Sequence, residues 1–249
     1  MKRLLCLLLC AATITAFGQG STLYRVNVVK PKAGMRAGFE ASWKTHLDKY
    51  HNTSEKRMVS QILDGPMNGA YVIAEGPVSW ADLDKEQANA KEHSLDLDQN
   101  FSPKLDVGGN NSLYRWADTL SYHGDVKATK FIVTITVLKD GTGGDVMREM
   151  RRTALINAKI NSTGSYNVFI KQLAGNSPTV VTRRNLKDGF KELDSNYDPN
   201  MVSMRNQFKD AYIKDYGQEA WDKRLKLLVD AVVSREQHLE KYRADLSSK

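Results

Sequence analysis

The stretch GPVSWADLDKE, from Gly76 to Glu86, is repeated in outline by LKDGFKELDSN, from Leu186 to Asn196. In each copy an aromatic residue is followed three positions later by Leu-Asp, and Phe190 comes 110 positions after Trp80. Ser79 can cap a helix, and an acid stands three residues on, at the capping-box position. Each copy therefore predicts the start of a helix, and the repetition indicates that the chain contains one structural unit twice.

The elements around these helix starts also occur twice. YRVNVVKPKAG (24–34) aligns with VTITVLKDGTG (133–143), and both alternate apolar and polar residues before a Gly-containing turn. That pattern predicts a strand with one apolar face. A helical stripe follows, from Phe39 to Tyr50 and from Val146 to Asn157, and then a hairpin of two short strands. Each half is therefore predicted to be β-α-β-β-α-β, a ferredoxin-like unit.

The two halves close differently. Ser112 to Tyr122 predicts the last strand of the first half, while Ser234 to Leu246 is interpreted as the matching strand, with a helix as the alternative. Residues 197–231 are extra and predict one or two amphipathic helices. Because helices cover only one face of such a sheet, the other face needs a partner. We expect an α+β fold in which two tandem repeats pack sheet to sheet as a pseudo-dimeric α/β barrel.

The first twenty residues have the features of a secretory signal peptide. Lys2 and Arg3 precede an apolar run that ends at Phe17, and small residues follow. The run is shorter than the roughly 20 residues that span a bilayer, although a retained anchor is the alternative. We predict a leader over 1–20, a first repeat over 21–125 and a second over 126–249. The mature protein is expected to be exported, periplasmic or extracellular, with no integral membrane segment.

Composition limits the partners. Both cysteines lie in the leader, so the mature chain is expected to have neither disulfides nor thiolate metal ligands. The formal net charge is +7, and it falls to +5 without Lys2 and Arg3. Basic residues alternate with acids instead of forming a stripe, so no nucleic-acid partner is predicted. A small-molecule ligand is expected, with the protein a monomer or a homodimer.

His46 is the main candidate for chemistry. It lies on the apolar side of the first helix, three residues after Trp43, where an imidazole could act as an acid, a base or a ligand. The alternative is a packed, hydrogen-bonded histidine. Arg25 and Asn27 share one strand face and could orient a polar ligand together with Tyr71. Alternatively, their side chains pair with Glu75 or Asp118.

No metal site is predicted from the histidine spacing. His51 ends the same helix as His46, and a spacing of i and i+5 places two side chains on different helical faces. A histidine at a helix C-terminus also has a favourable interaction with the helix dipole. The surroundings of His93, KEHSLDLDQ, indicate a solvated helix.

The strand YRVNVV, the helix FEASWKTHLDKYH and the hairpin ILDGPMNGAYVIAEG resemble the dimeric α/β-barrel superfamily. That superfamily includes antibiotic-biosynthesis monooxygenases, haem-degrading monooxygenases and chlorite dismutases. The resemblance implies that Asn27 matches an interior Asn on the first strand of some cofactor-independent and haem-degrading members. Haem-degrading members add a His and a Trp on a later helix. Here His46 and Trp43 lie on the first helix, and His93 lies nearer the expected place.

The resemblance implies an exported small-molecule-binding or monooxygenase-like barrel of unknown substrate. The alternative is a non-catalytic interaction module of the cell envelope that uses the aromatic residues Phe208, Tyr212 and Trp221. Whether the protein is an enzyme stays open. No cofactor is predicted, with haem as the alternative. The predicted catalytic residues are His46 and Asn27, and the predicted ligand-binding residues are Arg25, Trp43 and Tyr71.

Overall fold

The structure is a computed structural model. It describes residues 22–51, 56–86, 89–107, 109, 111–123, 128–175, 177–194, 197 and 201–248. The predicted leader over residues 1–20 lies outside these ranges. Within them, no helix combines the length and the apolar character that a bilayer crossing requires.

The first half follows the predicted element order, with one extra helix and one extra short strand. Its last strand ends at Trp116, earlier than predicted, and a 3-10 turn over Asp118–Leu120 follows. The elements are β1 (Leu23–Pro31), α1 (Arg36–Tyr50), β2 (Arg57–Ile62), β3 (Tyr71–Val78), α2 (Trp80–Leu83), α3 (Ala90–Asn100), β4 (Leu105–Val107) and β5 (Ser112–Trp116).

The second half has the same order of main strands and contains the predicted extra helices. The uncertain last element is a strand, because its backbone pairs along its length with the first strand of this half. The elements are β6 (Lys130–Leu138), α4 (Gly143–Lys159), β7 (Tyr166–Lys171), β8 (Thr179–Asn185), α5 (Met201–Tyr216), α6 (Gln218–Asp230) and β9 (Val232–Tyr242).

Eight strands form a closed antiparallel barrel. They pair in the order β1-β3-β2-β9-β6-β8-β7-β5, and β5 pairs again with β1, while β4 adds only to the end of β1. Within each half the strand order is the same, β5-β1-β3-β2 and β9-β6-β8-β7. The halves are joined edge to edge by the pairs β2–β9 and β5–β7. The predicted barrel is therefore confirmed. Hydrogen bonds between the edge strands of the two halves close it.

Helices cover the outer side of the barrel. Val29 of β1 packs under α1, in a buried cluster with Phe39 and Trp43. Because side chains alternate along a strand, Arg25 and Asn27 share this helix-facing side with Val29. The residues between them point toward the barrel interior. In the second half a matching cluster lies under α4, and it contains Ala117, Leu120, Leu138, Val146, Val168, Val180 and Ala231.

The two copies of the opening motif have different structures. In the first, Ser79 and Asp82 form a full capping box, since each side chain bonds to the other residue's backbone N–H. In the second, the Glu192 carboxylate instead accepts from the backbone N–H of Asp188, four residues before it, at 2.7 Å. The first copy therefore begins α2, and the second forms a 3-10 turn over Gly189–Leu193.

Candidate metal centre: three histidines between two helices

Helix α1 positions His46 by its apolar stripe. Phe39, Trp43 and Leu47 are buried on one face of α1, and His46 lies on the same face with 2% of its surface exposed. Trp43 stacks on its ring with centroids 5.6 Å apart, and Phe101 meets it edge-on at 5.1 Å. The apolar packing that buries α1 thus holds the imidazole in one orientation.

His51 lies just beyond the last turn of α1. Its backbone has φ −132° and ψ 30°, outside helical values, while its N–H still donates to the Leu47 carbonyl at 2.8 Å. A helical spacing rule therefore does not apply to His46 and His51. The change of backbone direction places the His51 ring beside His46, with centroids 5.1 Å apart.

Helix α3 supplies the third histidine and a carboxylate. His93 and Asp96 are three positions apart and lie on the face of α3 that meets α1. Leu97, on the same face, packs against the core cluster under α1. The side chains of α3 are otherwise largely solvated, as the sequence indicated, but this one stripe faces the histidines.

The three imidazoles converge through the same ring atom. His51 Nε2 lies 3.2 Å from His46 Nε2 and 3.1 Å from His93 Nε2. The centroids of the same two ring pairs are both 5.1 Å apart. The centroids of the third pair, His46 and His93, are 4.7 Å apart, so the three imidazoles gather around the Nε2 atom of His51.

Hydrogen bonding alone does not account for this convergence. Asp96 Oδ2 lies 2.6 Å from His46 Nδ1, so Nδ1 carries the proton and Nε2 of a neutral His46 carries a lone pair. A single proton on His51 Nε2 would have to serve two acceptors at once. A cation at the common point would satisfy all three nitrogens.

The surroundings keep His46 and His51 neutral. Burial lowers the pKa of His51 to about 3, with Arg57, His46 and His93 adding to the effect. Burial also lowers the pKa of His46 and outweighs the hydrogen bond to Asp96, which raises it. The same bond lowers the pKa of Asp96, so the carboxylate stays charged. Neutral imidazole is the form that binds a metal ion.

The two Nε2 distances from His51 fit a first-row transition metal. With metal–nitrogen bonds of about 2.05 Å, two ligand nitrogens lie about 3.3 Å apart in tetrahedral geometry and about 2.9 Å apart in octahedral geometry. The observed 3.1 and 3.2 Å fall between these values. One nitrogen from each of the three histidines lies within 4.8 Å of the others. The carboxylate on His46 Nδ1 completes the carboxylate–histidine arrangement found behind metal ligands.

The other predicted site residues lie apart from this centre. Tyr71 is fully buried and donates to Glu40, while Arg36 Nε donates to its hydroxyl at 3.1 Å, near the opposite end of α1. Arg25 Nη1 lies 3.1 Å from a Glu75 oxygen, which is the pairing given above as the alternative. Of the five predicted residues, the structure brings together His46 and Trp43.

Asn27 is enclosed on the outer side of β1. Its Oδ1 is buried without a hydrogen-bond partner among the described residues. A Cβ built on Gly109 would lie 1.2 Å from this oxygen, so only a glycine leaves room for the Asn27 amide here. This arrangement separates Asn27 from the histidine cluster as well.

Sequence reasoning missed His51, His93 and Asp96. A usable signal was present on α3, where His93, Asp96 and Asn100 recur at helical spacing on one face. His46 and Tyr50 form the corresponding pair on α1. If these two stripes are packed against each other, the histidines come together. No rule about the spacing of ligands along one helix is then needed.

Comparisons with known proteins place the chain by its fold. No family model matches it, and no curated protein matches it. Among solved structures, a candidate monooxygenase from Lactobacillus acidophilus NCFM is similar, with a TM-score of 0.53 and 9% identity over 92% of this chain and 96% of that one. A candidate monooxygenase from Fusobacterium nucleatum subsp. nucleatum ATCC 25586 gives 0.52 and 12%, over 90% and 93%.

A third similar structure is chlorite dismutase from Candidatus Nitrospira defluvii in complex with imidazole. Its TM-score is 0.50 at 5% identity, over 91% of this chain and 93% of that one. At such identities the likeness concerns the fold alone. The chain is therefore similar in fold to monooxygenase-type and chlorite dismutase barrels, two groups of the superfamily that the sequence resembles.

Proposed function

We propose that this chain is an exported α/β-barrel protein that binds one divalent transition-metal ion through Nε2 of His46, His51 and His93. One observation carries the proposal: three imidazoles, two of them buried, bring their Nε2 atoms together, with 3.2 and 3.1 Å from His51 to its two neighbours. An all-imidazole set suits zinc, copper, iron and nickel better than magnesium or calcium, which prefer oxygen ligands.

Metal content tests this proposal directly. The mature chain would be purified without chelator and without an affinity tag, and its metals would be quantified by inductively coupled plasma mass spectrometry. We expect about one equivalent per chain, and after removal by chelator about one equivalent of added zinc should bind again. His51→Gln should lose this binding, while His123→Gln, a matched change outside the cluster, should keep it. Wild-type protein that binds no divalent metal would contradict the proposal.

Haem, the alternative cofactor given above, does not fit the histidine cluster. A haem iron accepts protein ligands only at two axial positions, on opposite faces of a flat ring. Nε2 atoms 3.1 and 3.2 Å apart leave no space for that ring between them.

The second half offers another place to test for haem. A cavity of about 300 Å³ lies against β6 to β9. Haem-binding proteins ligate iron with His, Cys, Met or Tyr. Among the described residues that line the cavity, only Tyr166 belongs to this group, and burial raises its pKa away from the phenolate that would ligate. The described residues that line this cavity therefore do not fit haem.

A monooxygenase-like barrel without a metal is the second candidate. The short contact between His46 and Asp96, 2.6 Å, favours it, because a carboxylate can orient an imidazole that acts as a general base. The two candidates differ in what chelation does. A cofactor-independent enzyme keeps its catalytic activity after treatment with a chelator, whereas a metal-dependent enzyme loses it.

The packing of the aromatic residues on α5 and α6 gives less support to the alternative that the protein is an interaction module. Tyr212 is fully buried, and its ring lies 5.5 Å from Trp221 and 6.2 Å from Phe208. Arg224 lies over the Phe208 ring at 5.2 Å. These side chains pack α5 and α6 onto the protein itself.

The repeated strand order supports a further element of the proposal. We propose that the two halves are tandem ferredoxin-like repeats, since each has the order of last, first, third and second strand. Such a chain closes in one molecule a barrel that two separate ferredoxin-like units would otherwise have to form by pairing. A monomer is therefore sufficient for the fold, and a homodimer remains compatible with it.

A further inference from the structure

We infer that the proposed metal ion keeps one coordination position open to water, and that small anions exchange into this position. The inference rests on the proposed metal site and extends it from binding to ligand chemistry. It assigns the centre to the class of Lewis-acid sites.

The number of protein ligands is the first argument. Three histidines converge, and among the described residues no fourth His, Cys, Asp or Glu joins the group. Structural zinc sites are almost always closed by four protein ligands, whereas catalytic sites have three and keep one position for water or substrate. The neighbouring carboxylate, Asp96, is engaged by His46 Nδ1 and by the Asn100 amide at 2.7 Å.

Charge is the second argument. Three neutral imidazoles leave the full double charge on a divalent ion, which favours binding of an anion. Lys49 Nζ lies 4.9 Å from the centroid of the Tyr50 ring, which packs on His46 and His93. An incoming anion would be attracted by the ion and by Lys49.

Accessibility is the third argument. The two deepest ligands, His46 and His51, are 2% and 5% exposed, but His93 is only half-buried. Beside it, the Tyr50 hydroxyl donates to the Glu92 carbonyl at 3.1 Å on the exposed rim between the two helices. The Tyr50 ring packs on His46 and His93 at 5.0 and 5.1 Å. The ligand set is thus anchored on the core side and meets solvent at the His93 side.

Cobalt substitution tests the inference on the full mature protein. The chelated protein would be loaded with one equivalent of Co²⁺, and its visible absorption would be recorded during titration with sodium azide. We expect a saturable spectral change with one azide per metal. Lys49→Gln should weaken azide binding by roughly twofold to fivefold, the range of an exposed charge, while leaving Co²⁺ binding intact. Lys44→Gln, an exposed lysine on the same helix, should have a smaller effect.

The outcomes separate the two proposals. If Co²⁺ binds at one equivalent but its spectrum does not respond to azide or cyanide, the metal site stands and the open position is refuted. A fourth protein ligand would produce that result. If Co²⁺ and Zn²⁺ both fail to bind to folded protein, the metal site itself is wrong, and the open position is refuted with it.

Discussion

Asp96 Oδ2 lies 2.6 Å from Nδ1 of His46, across two helices whose contacting residues are 50 positions apart in sequence. The contact fixes the His46 tautomer, because Nδ1 must carry the proton that the carboxylate accepts. Nε2 therefore presents its lone pair toward His51 Nε2, 3.2 Å away. Asp96 would not itself contact the proposed ion, but it determines how His46, one of the three proposed ligands, is oriented.

Removing this carboxylate should weaken metal binding without abolishing it. We expect Asp96→Ala to reduce zinc affinity by about 10- to 100-fold, the usual effect of losing a group that orients a ligand. Asp96→Asn should restore part of the affinity, because its amide oxygen can still accept from Nδ1. Competition with a zinc indicator measures both. Asp98→Ala, an exposed acid on the same helix, is the control, and an equal loss there would refute an orienting role.

Losing a ligand should cost more than losing its support. His93→Gln should weaken zinc binding beyond the roughly 100-fold upper range expected for Asp96→Ala. Since His93 is the least buried of the three histidines, the fold should survive. Circular dichroism and calorimetric titration on the same sample check both statements. An affinity within threefold of wild type, in a folded variant, would remove His93 from the centre.

Bound metal should stabilise the fold. At a free zinc concentration 100 times the dissociation constant, the free energy of unfolding should rise by about 2.7 kcal/mol. Thermal unfolding with and without zinc measures the change, and a chelator should reverse it. The His51→Gln protein should show no comparable rise. A rise of the same size in that variant would mean that zinc acts elsewhere.

The added helices should depend on one buried contact. The Tyr212 hydroxyl donates to Glu149 at 2.7 Å, and Glu149, 4% exposed, also lies 2.9 Å from Arg224 Nε. Tyr212→Phe should reduce the free energy of unfolding by about 1–3 kcal/mol, because a buried carboxylate loses a donor. Urea unfolding measures it. Tyr216→Phe, on the same helix but half-buried, should change stability less, and an equal loss would contradict the assignment.

Much of the fold could be predicted from sequence because its signals are local. The alternation at β1 and β6 and the repeated motif at Trp80 and Phe190 identify two equivalent halves. Helices cover only one face of each half's sheet, and the need to cover the other face predicts that the two halves form a barrel. The edge pairs β2–β9 and β5–β7 carry no comparable local signal, since pairing of distant strands is decided by tertiary structure.

The candidate centre was less predictable because it depends on departures from regular structure. His46 was recognised from the stripe on α1. His51 was set aside by a spacing rule that requires a continuous helix, whereas its φ of −132° takes it outside one. His93 and Asp96 lie on a helix with a mostly solvated surface, and only the packing of α3 against α1 brings them to His46.

Anomalous X-ray diffraction from crystals grown with zinc would test the central claim most directly. Data on both sides of the zinc absorption edge locate the ion independently of any assumption about its ligands. We predict one peak about 2.0–2.1 Å from Nε2 of His46, His51 and His93. A zinc-loaded crystal whose only peaks lie elsewhere, with the three imidazoles bonded to one another or turned apart, would contradict the account.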